Sequence, residues 1–299
     1  VFTEKRKRFS LCVFLFFVVN LLLRNLNYEI RSEMLDLIFP NTCPFCESVS
    51  KERSVCDACL ANIRFIGEMA VCLRCGVPFD FAKLPDRGVS ALVGTGLSVC
   101  PNDGQPQGVT PAVSVDSTYE HLCGRCLLGV FYFDRARSVA FYDGLLRDML
   151  HRFKYEGRLN LGEVLSRILV KNFPHDLDGF ELIVPVPLHI EKLRKREYNQ
   201  SVILGMGLAR QLRVSLDPFI LNKIRETMPQ FEITNEDERR RNVKGAFSVA
   251  DAWKIREKSI LLIDDVFTTG STINECARVL FESGASRVQA LTLMRAVQS

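Results

Sequence analysis

The chain has 299 residues, of which 47% are hydrophobic and 25% charged, and it carries a net charge of +4 at pH 7. That length suits about two domains, and the composition is that of an ordinary globular chain, which excludes fibrous and fully disordered classes. The mild positive charge permits an anionic ligand but does not by itself mark a nucleic-acid binder.

Lys5, Arg6, Lys7 and Arg8 precede an apolar run over residues 9–23, the pattern of a signal peptide. The run is short for a membrane span and contains Asn20, and polar residues 24–27 follow it where a small-residue cleavage site would stand. Met34 is a credible start. We therefore expect residues 1–33 to be sequence upstream of the true start, the alternative being a hydrophobic leader. A chain beginning near Met34 would have no membrane contact and would be cytoplasmic.

Eleven cysteines are present, and eight of them form four C-x-x-C pairs: Cys43/Cys46, Cys56/Cys59, Cys72/Cys75 and Cys123/Cys126. Two thiolates at i and i+3 on a tight turn present themselves to one tetrahedral ion, so the repeated spacing points to structural Zn²⁺ rather than to disulfides. Taken in order, the first two pairs close one site and the last two a second. Residues 76–122 between the latter, rich in Gly, Pro, Ser and Val, read as a long loop. Cys12 and Cys100 are left over, and Cys276 falls on an apolar helix face.

From Val130 the pattern becomes α/β. Residues 139–141 predict a strand, and Asp143 a cap for a helix with Leu145, Leu146, Met149, Leu150 and Phe153 on one face. Leu161, Val164, Leu165, Ile168 and Leu169 mark a second helix. A strand over 181–184 stops at Pro185 and Pro187, and the basic Lys192, Arg194, Lys195 and Arg196 follow it. A helix is expected over 199–212, a strand over 219–224 and a last strand over 288–293. Residues 226–243 lack an apolar period and read as a polar loop or lid. Strands alternating with helices predict a parallel sheet with flanking helices, preceded by a small Cys-rich module.

The most informative stretch is I-L-L-I-D-D-V-F-T-T-G-S-T over residues 260–272. Its four apolar residues fit a strand buried on both faces. Asp264 and Asp265 follow, then Thr268, Thr269, Gly270, Ser271 and Thr272, then a helix with Ile273, Cys276, Ala277, Leu280 and Phe281 on its apolar face. Free N–H groups at a helix N-terminus attract phosphate, whereas adjacent carboxylates repel it and suit hydroxyls or a metal ion. A sugar phosphate with vicinal hydroxyls meets both demands. The rival reading of Thr272-x-x-Glu275 is a capping box without a ligand.

This string resembles the phosphoribosyl pyrophosphate (PRPP) motif of type I phosphoribosyltransferases. The resemblance implies that Thr268, Thr269, Gly270, Ser271 and Thr272 hold the 5-phosphate and that Asp264 and Asp265 hold the ribose hydroxyls. The cysteine pairs, F-K-Y-E-G-R at 153–158, V-P-V-P-L at 184–188, R-E-Y-N-Q-S at 196–201 and T-M-P-Q at 227–230 further resemble the ComF family of predicted phosphoribosyltransferases, over about residues 34–295. Glu197 stands where that family usually has Gly, and the insert between Cys75 and Cys123 is unusual.

The resemblance implies a type I phosphoribosyltransferase-like domain over residues 128–299, behind a double zinc ribbon over 34–127. It implies Mg²⁺ bound with PRPP, displacement of pyrophosphate by an unknown acceptor, and a link to DNA uptake through competence proteins. Arg196 and Lys154 are the candidates for binding the departing pyrophosphate, with Arg239, Arg240 and Arg241 as charge partners in the lid. Thr268 stands where purine-specific relatives place an acidic residue. The alternatives are a PRPP-binding regulator without catalysis and an accessory that grips single-stranded DNA; a homodimer is compatible with each.

Overall fold

A computed structural model describes residues 41–50, 55–79, 121–228, 233 and 235–296. The expectations for the leader, Cys12, Cys100 and most of the 76–122 loop lie outside those residues. The chain divides into two compact units, Val1–Ile63 and Arg64–Ser299. In the first, Thr42 and Val49 bridge across a knuckle turn that carries Cys43 and Cys46. A short helix, α1 (Asp57–Leu60), follows, with Cys56 at its N-cap.

The larger unit begins with a second knuckle, bridged by Val71 and Pro78, and a short helix α2 (Gly124–Leu128) with Cys123 at its N-cap. Strand β1 (Arg135–Phe141) leads to α3 (Gly144–Tyr155) and α4 (Asn160–Lys171), then β2 (Leu182–Pro185). Helices α5 (Ile190–Arg196) and α6 (Gln200–Leu212) precede the two-residue β3 (Ser215–Leu216). Next come β4 (Leu221–Lys223), α7 (Glu236–Val243) and β5 (Phe247–Val249). The chain closes with β6 (Ser259–Phe267), α8 (Ser271–Glu282) and β7 (Arg287–Arg295). Among the described residues no helix is long and apolar enough to cross a membrane.

Five strands form one sheet in the order β1-β7-β6-β2-β3, and every pairing is parallel. Ile260, Leu261, Leu262 and Ile263 of β6 are all fully buried, as a central parallel strand covered on both faces requires. Each such side chain contributes roughly 1.5–3 kcal/mol of burial. The predicted apolar faces of α3 and α4 are inward: Leu146, Met149, Leu150 and Phe153, then Leu161, Leu165, Ile168 and Leu169, are buried. On α8 the expectation fails at Phe281, which is 55% exposed, because the buried stripe of that helix closes at Leu280.

Two further expectations change. The strand expected over 219–224 shrinks to β4, which pairs antiparallel with β5, a strand too short to show a period. Within the expected polar loop, residues Glu236–Val243 are helical. Asn235 caps that helix by accepting from the Asp237 N–H at 2.8 Å, and among the described side chains of α7 only Val243 is anchored in the core, so no apolar stripe announces it.

Helix α5 ends at Glu197, which takes the left-handed conformation at φ 65° while its N–H donates to the Leu193 carbonyl. The tight turn therefore forms despite the missing glycine, at a cost of about 1–2 kcal/mol to a residue with a Cβ. Glu197→Gly should raise stability by about 0.5–1 kcal/mol in urea unfolding, the gain being partly offset by the freer unfolded chain. An unchanged or lower midpoint would show that the glutamate side chain supports the turn.

Candidate functional site

In this sheet the chain leaves β2 towards β3 and leaves β6 towards β7, on opposite sides. The connections part between β2 and β6, and open α/β sheets bind ligands in the crevice beyond the carboxyl ends of such a strand pair. The last paired residues of β2 and β6 are Pro185 and Ile263; Asp264 and Asp265 come next. Both aspartates still belong to β6, because β7 continues to pair with it as far as Phe267.

Two helices meet these carboxylates, and a tight turn follows them in the chain. Ser201, in the first turn of α6, donates its hydroxyl to Asp264 Oδ1 at 3.0 Å, and the Asp265 N–H donates to the same oxygen at 2.9 Å. From the last turn of α3, Lys154 Nζ lies 2.7 Å from Asp265 Oδ2, and both side chains are largely buried. Burial, and after it the neighbouring Asp265, pushes the Asp264 carboxyl up to about 7. Beyond Val266 and Phe267, the turn from Thr268 enters α8 through Gly270 at φ 75°. A Cβ there would fall 2.4 Å from the Phe267 ring, so the position requires glycine. Thr269 and Ser271 share a hydroxyl hydrogen bond of 2.8 Å.

The capping-box alternative fails. Glu275 does not turn back to its own helix start: Oε1 accepts from the Gly245 N–H at 2.7 Å, and Arg278 pairs with the same carboxylate. The N-terminus of α8 has Gly270 at its cap, with no side-chain cap.

Of the basic candidates, Lys154 reaches the aspartates. Arg196 is directed elsewhere, its guanidinium 4.9 Å from the Tyr155 ring centroid and donating to Gln200. Arg239 donates to the Ile233 carbonyl at 2.7 Å. Arg240 and Arg241 line a cavity of ≈ 200 Å³ beside the turn, together with Arg125, Lys244, Thr269 and Ser271.

Sequence reasoning missed four contributors. Ser201 closes the R-E-Y-N-Q-S string, and nothing in that string marks it as a partner of Asp264. Tyr198, in the same string, stacks on Phe153 and donates to its carbonyl, which holds α3 and hence Lys154 in place. Arg125 donates to the Thr269 carbonyl. Lys223 of β4 is half-buried, and burial followed by the Lys192 charge lowers its pKa. The last two come from distant segments, and no local signal marks them.

The cysteines gather as their order predicts: Cys43, Cys46, Cys56 and Cys59 in one cluster, Cys72, Cys75, Cys123 and Cys126 in the other. The two are built alike. In each, the third cysteine's N–H points at the first cysteine's sulfur, Cys56 to Cys43 at 3.5 Å and Cys123 to Cys72 at 3.3 Å. A left-handed residue closes each knuckle, Glu47 in one and Gly76 in the other. Only the second site demands glycine, since a Cβ on Gly76 would meet the Ala136 carbonyl at 2.5 Å.

Thiolates on one tetrahedral zinc, at about 2.3 Å each, lie about 3.8 Å apart. The Cys46–Cys56 and Cys75–Cys123 sulfur distances of 3.5 and 3.7 Å fit that ion. The thiols divide without help. Cys46 is pulled down to about 6, chiefly by the Ser48 hydroxyl, and Cys72 to about 4, chiefly by Cys75. Burial pushes Cys59 and Cys126 up to about 12. A divalent cation allows all four to ionise together.

The sequence matches two family descriptions, Double zinc ribbon domain over residues 34–127 and Phosphoribosyl transferase domain over residues 199–299. It is 26% identical to Competence protein ComFC of Bacillus subtilis over 248 residues, covering 75% of this chain and 95% of that one. It is 32% identical to DNA utilization protein YhgH of Escherichia coli K12 over 232 residues, covering 75% of this chain and 96% of that one. The chain belongs to the ComF family. Competence protein F of Haemophilus influenzae is another similar member, 32% identical over 184 residues, with 60% of this chain and 80% of that one covered. In this ComF chain the double zinc ribbon and the fit of both clusters support structural zinc.

Metal analysis of the purified chain should give two zinc ions. Cys46→Ser and Cys75→Ser should each lose one. Cys75 is buried in the main core, so only its loss should lower the melting temperature of the larger unit. Full zinc content in both variants would contradict these ligand sets.

Proposed function

We propose that this ComF-family chain binds PRPP in the crevice between β2 and β6 and displaces its pyrophosphate with an acceptor still to be identified. The observation that carries this reading is the paired aspartates at the end of β6, set beside a glycine-closed, hydroxyl-rich turn that opens α8. The N–H groups and hydroxyls of Thr268, Thr269, Gly270, Ser271 and Thr272 would take the 5-phosphate. Asp264 and Asp265 would accept from the ribose hydroxyls, with Ser201 and Lys154 holding the two carboxylates apart in role.

Displacement at C1 proceeds through an oxocarbenium-like state that needs positioning and charge neutralisation more than a protein nucleophile. Mg²⁺, bound with PRPP, supplies part of that neutralisation to the pyrophosphate. Lys154 is the better placed of the two basic candidates; Arg196 would have to leave the Tyr155 ring to take part. Residues 34–127 would serve as the zinc module and 128–299 as the transferase domain, acting in the cytoplasm. The names of the relatives, DNA utilization and competence, support a role in DNA uptake. A second reading, a PRPP-binding regulator, draws on Thr268, which offers no acidic group to an incoming base.

Pyrophosphate release from Mg·PRPP, followed with a panel of nucleobases and amines, separates the two: an acceptor-dependent burst marks the enzyme, and binding without release marks the regulator. Affinity for Mg·PRPP should rise as pH passes upward through about 7, because ionised Asp264 is the better hydroxyl acceptor. In Asp264→Asn only the titration of the ligand should remain. A native profile no steeper than that of the variant would contradict the role given to Asp264.

A further inference from the structure

Among the described residues a third group of ligating side chains lies close enough for one ion, and it contains no cysteine. His189 occupies the N-cap position of α5, Glu191 lies in the first turn of that helix, and Glu226 stands just beyond β4. Their ligand atoms lie within 4.8 Å of one another. Ligands at about 2.1 Å from a shared ion lie at most about 4.2 Å apart, so an adjustment of under about 1 Å completes the set. Glu191 and Glu226 are exposed and free to make it, whereas His189 is half-buried.

Two observations separate this group from an ordinary acidic patch. His189 Nδ1 is screened from solvent and has no hydrogen-bond partner among the described residues. A buried polar atom left so is unfavourable, and ligation through that nitrogen would satisfy it. Moreover, the two segments are already fastened next door: Lys192 Nζ donates to the Thr227 carbonyl at 3.4 Å, and Thr227 is buried. That hydrogen bond holds the segment of Glu226 beside α5, the helix that His189 caps.

We propose that His189, Glu191 and Glu226 form a third metal site, which takes a divalent first-row transition ion such as Mn²⁺ and ties the segment after β2 to the segment after β4. One imidazole and two carboxylates favour such an ion over Mg²⁺, which prefers an all-oxygen shell. The site is independent of the PRPP reading in its test, which needs no PRPP.

Titrating the full chain, carrying two zinc ions and no excess zinc, with Mn²⁺ alone, followed by electron paramagnetic resonance, should show one bound Mn²⁺ per chain beyond the zinc. Pulsed spectra should carry a nitrogen coupling from the imidazole. His189→Ala should abolish that coupling and weaken binding at least tenfold; Glu226→Gln, an exposed change that spares the fold, should weaken it at least tenfold as well. Unchanged zinc content confirms folding in each variant. No Mn²⁺ uptake, uptake without nitrogen coupling, or affinity indifferent to Glu226→Gln would overturn the proposal.

Discussion

Lys154 and Asp265 meet at 2.7 Å just beyond the fully buried run Ile260 to Ile263 of β6. Two adjacent carboxylates in that position resist desolvation and repel each other: burial first, and the Asp265 charge after it, push the Asp264 carboxyl up to about 7. The lysine ammonium neutralises one carboxylate, while the Ser201 hydroxyl and a backbone N–H satisfy the other. Tyr198, stacked on Phe153, keeps the last turn of α3 against α6 and so keeps the ammonium in reach. The crevice depends on this arrangement, which lets β6 carry two adjacent acids there.

The second zinc cluster and the crevice form one structural assembly. Cys72, Cys75 and Cys126 are buried in the same core as Phe133, Phe267 and Ile273. Arg295, at the end of β7, donates to the Cys75 carbonyl at 2.6 Å and lies over the Phe267 ring, and Phe267 is the residue that crowds Gly270. Arg125, between Cys123 and Cys126, reaches the Thr269 carbonyl. The helix that carries Cys126 thus braces the turn from behind, so the cysteine cluster supports the shape of the turn.

The fold was largely legible because its signals were local. The four-residue apolar run of β6, the stripes of α3 and α4 and the spacing of the cysteine pairs each follow from a period or a ligand geometry. What stayed hidden was non-local or too short. Strand β3 has two residues and β5 three, and α7 announces itself only through Asn235 and one buried valine. In the site, the two aspartates and the hydroxyl turn stood in one contiguous string, but Ser201, Arg125 and Lys223 come from three other segments. Arg196 looked suited to pyrophosphate by its neighbours in sequence; the structure instead spends its charge on the Tyr155 ring.

The central claim is that this pair of carboxylates grips a ribose whose phosphate rests in the adjoining turn. Calorimetric titration of Mg·PRPP into the native chain and into the Asp264→Asn/Asp265→Asn variant tests it most directly. The account predicts a saturable site in the native protein and at least a hundredfold weaker binding in the variant, with zinc content and melting behaviour showing that both are folded. Equal affinity in the two proteins, or no heat with either, would contradict it.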